Sequence, residues 1–244
     1  MSAIGMKAVK PLGRKAYGSI PHLPGSRLGP GDWSIHVGQE AICLTKARDR
    51  HDRVIVTEKL DGSNVAVARI GGDVLAVTRA GYLASDSPYP QHHHFGAWVD
   101  LNAGRFLAAL NDGERLNGEW LALAHGTRYA LPHEPFVVFD AMREAERLPW
   151  DEIVGRCAMG AFTHARVLSD GPPVSVEDIL PILMVSGHGA LDPVEGAVWR
   201  VERHGQFDFN AKWVRPDKVD GKYLTDISGH PEVWHWRAGA EEPA

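Results

Sequence analysis

The chain has 244 residues, 44% of them apolar and 23% charged, with a formal net charge of −5. That length allows one large domain or two small ones, either with a substantial core. The acidic balance excludes a protein that holds nucleic acid by bulk charge, so any such contact needs a local basic patch or a partner. No apolar run approaches a membrane span, and Met1 to Gly13 lacks a signal-peptide core, so a cytoplasmic protein without a membrane partner is expected. Cys43 and Cys157 have no metal-ligand spacing, and buried free thiols are expected.

The first fifty residues are rich in Pro and Gly, with Arg14, Lys15, His22 and Arg27 interleaved. Composition favours a plain arm over an ordered loop. Ser34 to Leu44 reads as a weak strand, and Lys46 to Arg50 as a basic connection. From Arg53 the chain turns strongly β. Residues 53–58, 64–70 and 73–79 are expected to form a meander, with Gly71-Gly72-Asp73 as a hairpin turn. In this reading Leu60-Asp61-Gly62 is a tight turn between two returning strands. A polar loop carries His92-His93-His94, which regular structure cannot aim at one metal.

Residues 97–111 carry apolar side chains at helical spacing and end at Asn111-Asp112-Gly113. Strands are expected at Leu116–Leu121 and Phe136–Asp140. Pro149-Trp150 opens a helix to about Ala158. His164 to Leu168 is a further candidate strand. Ser175 with Asp178 three residues on is a capping box for a helix over 176–186. Two more strands follow, Gly196 to Glu202 and Gln206 to Val214, turned at His204-Gly205. The chain reads as one α+β domain of antiparallel sheets flanked by helices. Residues 1–52 are expected to form a loop-rich leader, 53–220 the main domain, and 221–244 a short tail with no separate domain of its own. Trp234 and Trp236 in that tail read as core.

Carboxylates and cations recur at strand ends: Lys59, Arg79, Glu119, Asp140, Glu195 and Lys212. Each alone has a plain explanation as a turn residue, a strand cap or a solvated end. Together they supply a nucleophile, carboxylates for a hard divalent cation, and cations for phosphates, which is what nucleotidyl transfer to a lysine requires.

The ordered set EKLDGSN, TRAG, NGEWLALAH, FVVFD, VEGAVWR and AKWVR resembles the covalent nucleotidyltransferase superfamily of polynucleotide ligases and mRNA-capping enzymes. Its details resemble the ATP-dependent RNA ligases most, and the opening YGSIPHLPGS is similar to the leader of some of their relatives. The resemblance implies a nucleotidyltransferase domain with an ATP-grasp-like adenylation core, using ATP with Mg or Mn and an RNA substrate. It implies that Lys59 attacks the α-phosphorus of ATP, Glu58 reads the adenine edge, and Phe139 stacks on the base. Asn64 holds metal-bound water or phosphate, and Arg79 contacts the ribose and the acceptor phosphate. Glu119 binds ribose or metal, Asp140 and Glu195 complete the metal carboxylates, and Lys212 grips the α-phosphate. A second base expected two positions after that lysine is replaced by Val214, which leaves Arg215, ahead of Lys218, to serve.

The short tail and acidic balance suggest a minimal catalytic domain, with a protein partner supplying part of the RNA grip. A DNA ligase, a capping-type guanylyltransferase and a nucleotide-binding protein without turnover stand as alternatives. A protein or small-molecule acceptor is also open.

Overall fold

The computed structural model describes residues 10–237. Two antiparallel sheets form the frame. In the first, β10 (Gln206–Val214), β9 (Gly196–Arg203), β1 (Asp52–Lys59) and β8 (Val167–Gly171) lie side by side in that order. In the second, the order is β3 (Asp73–Thr78), β2 (Ser63–Ile70), β4 (Glu114–Trp120), β5 (Phe136–Arg143) and β6 (Glu146–Arg147). A short β7 (Thr163–His164) pairs in parallel with β5.

The expected meander is corrected here. β2 and β3 form the hairpin at Gly71-Gly72, but β1 pairs with β8 and β9 and belongs to the other sheet. Leu60-Asp61-Gly62 is therefore the crossover between sheets, not a hairpin turn. Val54, Ile55 and Val56 are wholly buried, as a strand covered on both faces must be. A Cβ on Gly62 would lie 2.5 Å from the Trp120 carbonyl oxygen, so the crossover can pass there only as glycine.

Helices cover the outer face of each sheet. α1 (Val37–Leu44) and α5 (Val176–Leu183) pack Ile42, Cys43, Ile179 and Leu183 against Val54, Val56, Trp199 and Val201 of the first sheet. α2 (Pro90–Leu101), α3 (Ala103–Ala109) and α4 (Trp150–Gly160) bury Phe95, Trp98, Phe106 and Ile153 with Trp120 and Phe136 of the second. Ser175 accepts a bond from the Asp178 amide at 3.1 Å, the expected N-cap of α5.

Three further expectations differ. Ser34–Leu44 is helical from Val37, because Ile42 and Cys43 pack together onto the first sheet and this tertiary gain outweighs a weak local pattern. The histidine run lies in α2 and not in a loop. Pro90 sits in its first turn, and Phe95, Trp98 and Val99 are buried at i, i+3 and i+4. The helix expected over 97–111 is two helices, divided at Asn102, whose side-chain amide bonds the Trp98 carbonyl at 2.8 Å.

The Pro- and Gly-rich leader is ordered where it is described. Leu23 N donates to Lys212 O and Lys212 N to Pro21 O, so this segment adds a parallel bridge to the edge of β10. Ala16, Tyr17, His22 and Leu23 are buried. At the other end of the chain, Trp234 bridges to Leu123, and Trp234 and Trp236 pack against the large core. A short helix, α6 (Thr225–Ser228), precedes them. The end of the expected tail, Ala-Gly-Ala-Glu-Glu-Pro-Ala over 238–244, lies outside the described residues. Both cysteines are buried and free, and burial pushes each thiol up to about 12. Among the described residues no helix is long and apolar enough to cross a membrane.

Candidate active site

A cleft of about 610 Å³ opens where the ends of the two sheets meet. Strand register brings its polar side chains together from distant sequence positions. Lys59, the last residue of β1, is paired with Gly196, so Glu195 precedes its partner directly. Lys212 is opposite Val198 on the next strand. In the other sheet Asn64 is paired with Glu119. Lys59, Glu195 and Lys212 thus come from one sheet, and Asn64 and Glu119 from the other.

Lys59 Nζ lies 2.5 Å from Glu195 Oε2. Burial works against its charge, but Glu195 and then Glu119 outweigh it and hold the amine above its usual pKa. Desolvation alone would favour a neutral amine. The carboxylates decide otherwise.

Glu119 is the complementary case. Burial first, and then Glu195, push its pKa up to about 7, although Lys59 and a 3.0 Å bond from the Gly62 amide favour the anion. Two desolvated carboxylates from opposite sheets face one cleft, a hard-oxygen donor set that suits Mg²⁺ or Mn²⁺. Asn64 contributes a buried side-chain oxygen that has no hydrogen-bond partner among the described residues.

On the cationic side, burial and then the Lys59 charge lower the pKa of Lys212, while Asp32, 3.6 Å away, opposes them. Arg79 reaches the cleft and donates to Ser19 Oγ at 2.9 Å. Phe139 is in the cleft wall, edge-to-face with Tyr17 at a centroid distance of 5.0 Å. Glu58 also lines the cleft, but both its oxygens are taken, one by the Ser186 hydroxyl at 2.5 Å and one by the Gly187 amide at 2.8 Å.

Two of the residues singled out in the sequence are placed apart from this cluster. Asp140 is fully buried behind the wall, where Arg147, Arg200 and the Tyr17 hydroxyl surround its carboxylate. Arg200 comes from β9 and Asp140 from β5, so the pair ties one sheet to the other. Arg215 is paired with Asp217 at 2.7 Å and does not line the cleft. Lys218 is the cation that reaches the carboxylates. It is 2.7 Å from Asp61 Oδ2 and 3.5 Å from Glu195 Oε1, with its side chain 2% exposed.

Sequence reasoning gave no role to Asp61, Asp32 or Ser63. Asp61 anchors the crossover by accepting from the Gly126 amide at 2.9 Å and pairing with Lys218. Ser63 and His125 meet at 3.3 Å inside the cleft. A polar residue isolated in an apolar run, as His125 is after Leu121-Ala122-Leu123-Ala124, is the one signal that marked it.

The RNA ligase family model matches residues 52–214. No curated protein matches the chain. Among solved structures, Naegleria gruberi RNA ligase with PPi is similar with a TM-score of 0.51 and 21% identity, over 74% of this chain and 53% of that one. A mutant of that ligase with ATP and Mn has a TM-score of 0.51 at 19% identity, over 80% and 58%. A second such mutant has 0.53 at 16%, over 86% and 61%. The chain spans 53–61% of the length of these structures, and at such identity the likeness speaks for the fold. With the family model covering β1 to β10, the chain belongs to the RNA ligase family.

Proposed function

We propose that the protein is an ATP-dependent RNA ligase that joins a 5′-phosphate to a 3′-hydroxyl through a lysyl-AMP and an RNA-adenylate. The observation that carries this reading is the register that sets Lys59 beside Glu195, with Glu119 across the cleft and Lys212 two strands over. That arrangement offers a nucleophile, anionic oxygens and a phosphate-binding cation within one cleft. A mutant of Naegleria gruberi RNA ligase, similar in fold, has been solved with ATP and Mn.

Three displacements at phosphorus follow. Lys59 Nζ, after losing a proton, forms a P–N bond with the α-phosphorus of ATP as the bond to pyrophosphate breaks. An oxygen of the RNA 5′-phosphate then takes the AMP, and Lys59 is released. The RNA 3′-hydroxyl finally attacks that 5′-phosphorus, and AMP leaves. Such displacements depend on positioning and charge neutralisation more than on covalent help from the protein. Lys212 and Arg79 supply positive charge for the phosphates, Phe139 a face for the base, and Asn64 a free acceptor near the nucleophile.

Glu119 and Glu195 are the residues that would hold a divalent cation. Among the described residues no group of three or more His, Cys, Asp or Glu makes a complete shell, so phosphate and water oxygens would complete it. When bound, the cation supplies charge neutralisation for the phosphates and draws carboxylate charge away from Lys59, which favours its neutral form. Lys59 is held by Glu195, the group in position to accept its proton.

The test is covalent labelling with α-labelled ATP, and separately GTP, in the wild type and Lys59→Ala. Label from ATP on the wild type, absent from the variant, is expected. Label from GTP alone would move the reading to capping, and no label from a folded, AMP-free protein would leave a nucleotide-binding protein without turnover.

A further inference from the structure

The leader does more than brace β10, because its first described residues form a hook around the rim of the cleft. Ala16 N and Tyr17 N both donate to Arg79 O, at 3.0 and 3.3 Å. Gly81 lies directly under Arg14, with φ +90 and a Cβ position only 2.1 Å from the Arg14 carbonyl oxygen, so the turn admits the hook only as glycine. Lys10 Nζ is 4.7 Å from the centroid of the Tyr82 ring, which is 37% exposed. Arg14, Lys15 and Arg79 are exposed. Four cations and an aromatic ring thus lie along one rim beside the Lys59 chamber.

The charge setting separates this rim from much of the surface. Several arginines elsewhere are neutralised by carboxylates: Arg48 by Asp52 and Asp208, Arg53 by Asp151 and Asp170, and Arg203 by Asp49 and Asp52. Arg105 and Arg128 are paired likewise with Glu134 and Asp192. Lys10, Arg14, Lys15 and Arg79 have no ion-pair partner among the described residues. A protein of net charge −5 that handles RNA must concentrate its free positive charge locally, and here that charge meets an exposed aromatic face.

We propose that the Lys10–Ser19 hook and the Arg79–Tyr82 turn it clasps form the track along which an RNA strand enters the cleft. Lys10, Arg14 and Lys15 neutralise successive phosphates, and Tyr82 offers a stacking face. This rests on the ligase reading for its substrate.

The test is binding of a 5′-phosphorylated single-stranded RNA, followed by anisotropy at several salt concentrations, with AMP transfer from ATP to the protein measured alongside. In Arg14→Ala/Lys15→Ala the affinity at low salt falls roughly tenfold, and the salt slope falls by about 1.4 for two lost phosphate contacts. AMP transfer is unchanged, and Arg14→Lys keeps the wild-type affinity. The control is Lys46→Ala/Arg50→Ala, which removes two cations near the opposite end of β1. Equal weakening in the control, or unchanged affinity and slope in the hook variant, overturns the proposal. If the wild type takes no AMP, the ligase reading fails, while the RNA titration still decides the surface.

Discussion

The Lys59 amine and the Glu195 carboxylate are 2.5 Å apart, so the nucleophile of the proposed reaction is held as a cation by its neighbour across the strand pair. Removing that charge has two opposite effects. In Glu195→Gln the Lys59 pKa falls, and the amine reacts faster with an acylating reagent near pH 8. AMP transfer to the same lysine falls on the order of 100-fold, because a carboxylate that would hold the charge-neutralising cation is lost. Reagent trapping and nucleotide labelling of one preparation check both, and parallel changes would refute the pairing argument.

Lys218 and Arg215 are separated by stability. Lys218→Ala leaves Asp61 and Glu195 without their buried partner and costs about 3–5 kcal/mol. Arg215 pairs with an Asp217 side chain that is 77% exposed, and Arg215→Ala costs about 1 kcal/mol or less. Urea unfolding of the two variants gives the comparison, and a larger loss for Arg215→Ala would reverse the assignment.

For Asp140 the expected outcome is structural. Asp140→Asn weakens the tie to Arg200 and Arg147 and lowers stability by about 2–4 kcal/mol. Mn²⁺ affinity of the folded variant stays close to wild type, whereas Glu195→Gln weakens it. Mn²⁺ titration followed by electron paramagnetic resonance distinguishes them. An equal loss in both would restore the metal role that the resemblance implies for Asp140.

The order of strands was far less legible than their existence. Val54 to Thr57 and Val65 to Ile70 are unmistakable as strands, but nothing local says that they belong to different sheets. That is decided by β8 and β9, more than a hundred residues later. The motif lysine, the two cleft carboxylates and Lys212 could be chosen because charged groups at the ends of apolar runs are few. Their partners could not. Asp140 looks in sequence like Glu119, a carboxylate in an apolar strand, and only Arg200 and Arg147 reveal that its charge is already balanced. The helix through His92–His94 was missed because its start depends on Pro90 and on the burial of Gln91 and Phe95 beneath it.

Acid stability supplies another test. Burial raises the pKa of Glu114, but bonds from Arg156, the Asn111 amide and Arg143 outweigh it and bring it down to about 2. A carboxylate depressed in the folded state stabilises fully above its ordinary value of 4.5, and this contribution is lost as pH falls towards about 2. The linkage amounts to about 3 kcal/mol. Glu114→Gln is therefore less stable than wild type at pH 7, and the gap narrows at pH 3. Denaturant unfolding at the two pH values checks the sign.

The thiols offer the simplest check. Cys43 and Cys157 are buried, and the pKa of each is pushed up to about 12, so neither reacts with a thiol-exchange reagent at pH 8 until the protein unfolds. Rapid modification of the native protein would contradict the burial of α1 and α4.

The crossover at Leu60–Gly62 divides the chemistry between two bodies. Lys59, Glu195 and Lys212 ride on one sheet, and Asn64 and Glu119 on the other. Any small rocking of one sheet against the other leaves the lysine and its carboxylate in register but changes the gap across which Glu119 and Glu195 face each other. The width of the cleft and the grip on a cation are thus one mechanical variable. A nucleotide that draws the sheets together would set the distance between the carboxylates by the same movement, and closure would then itself assemble the site.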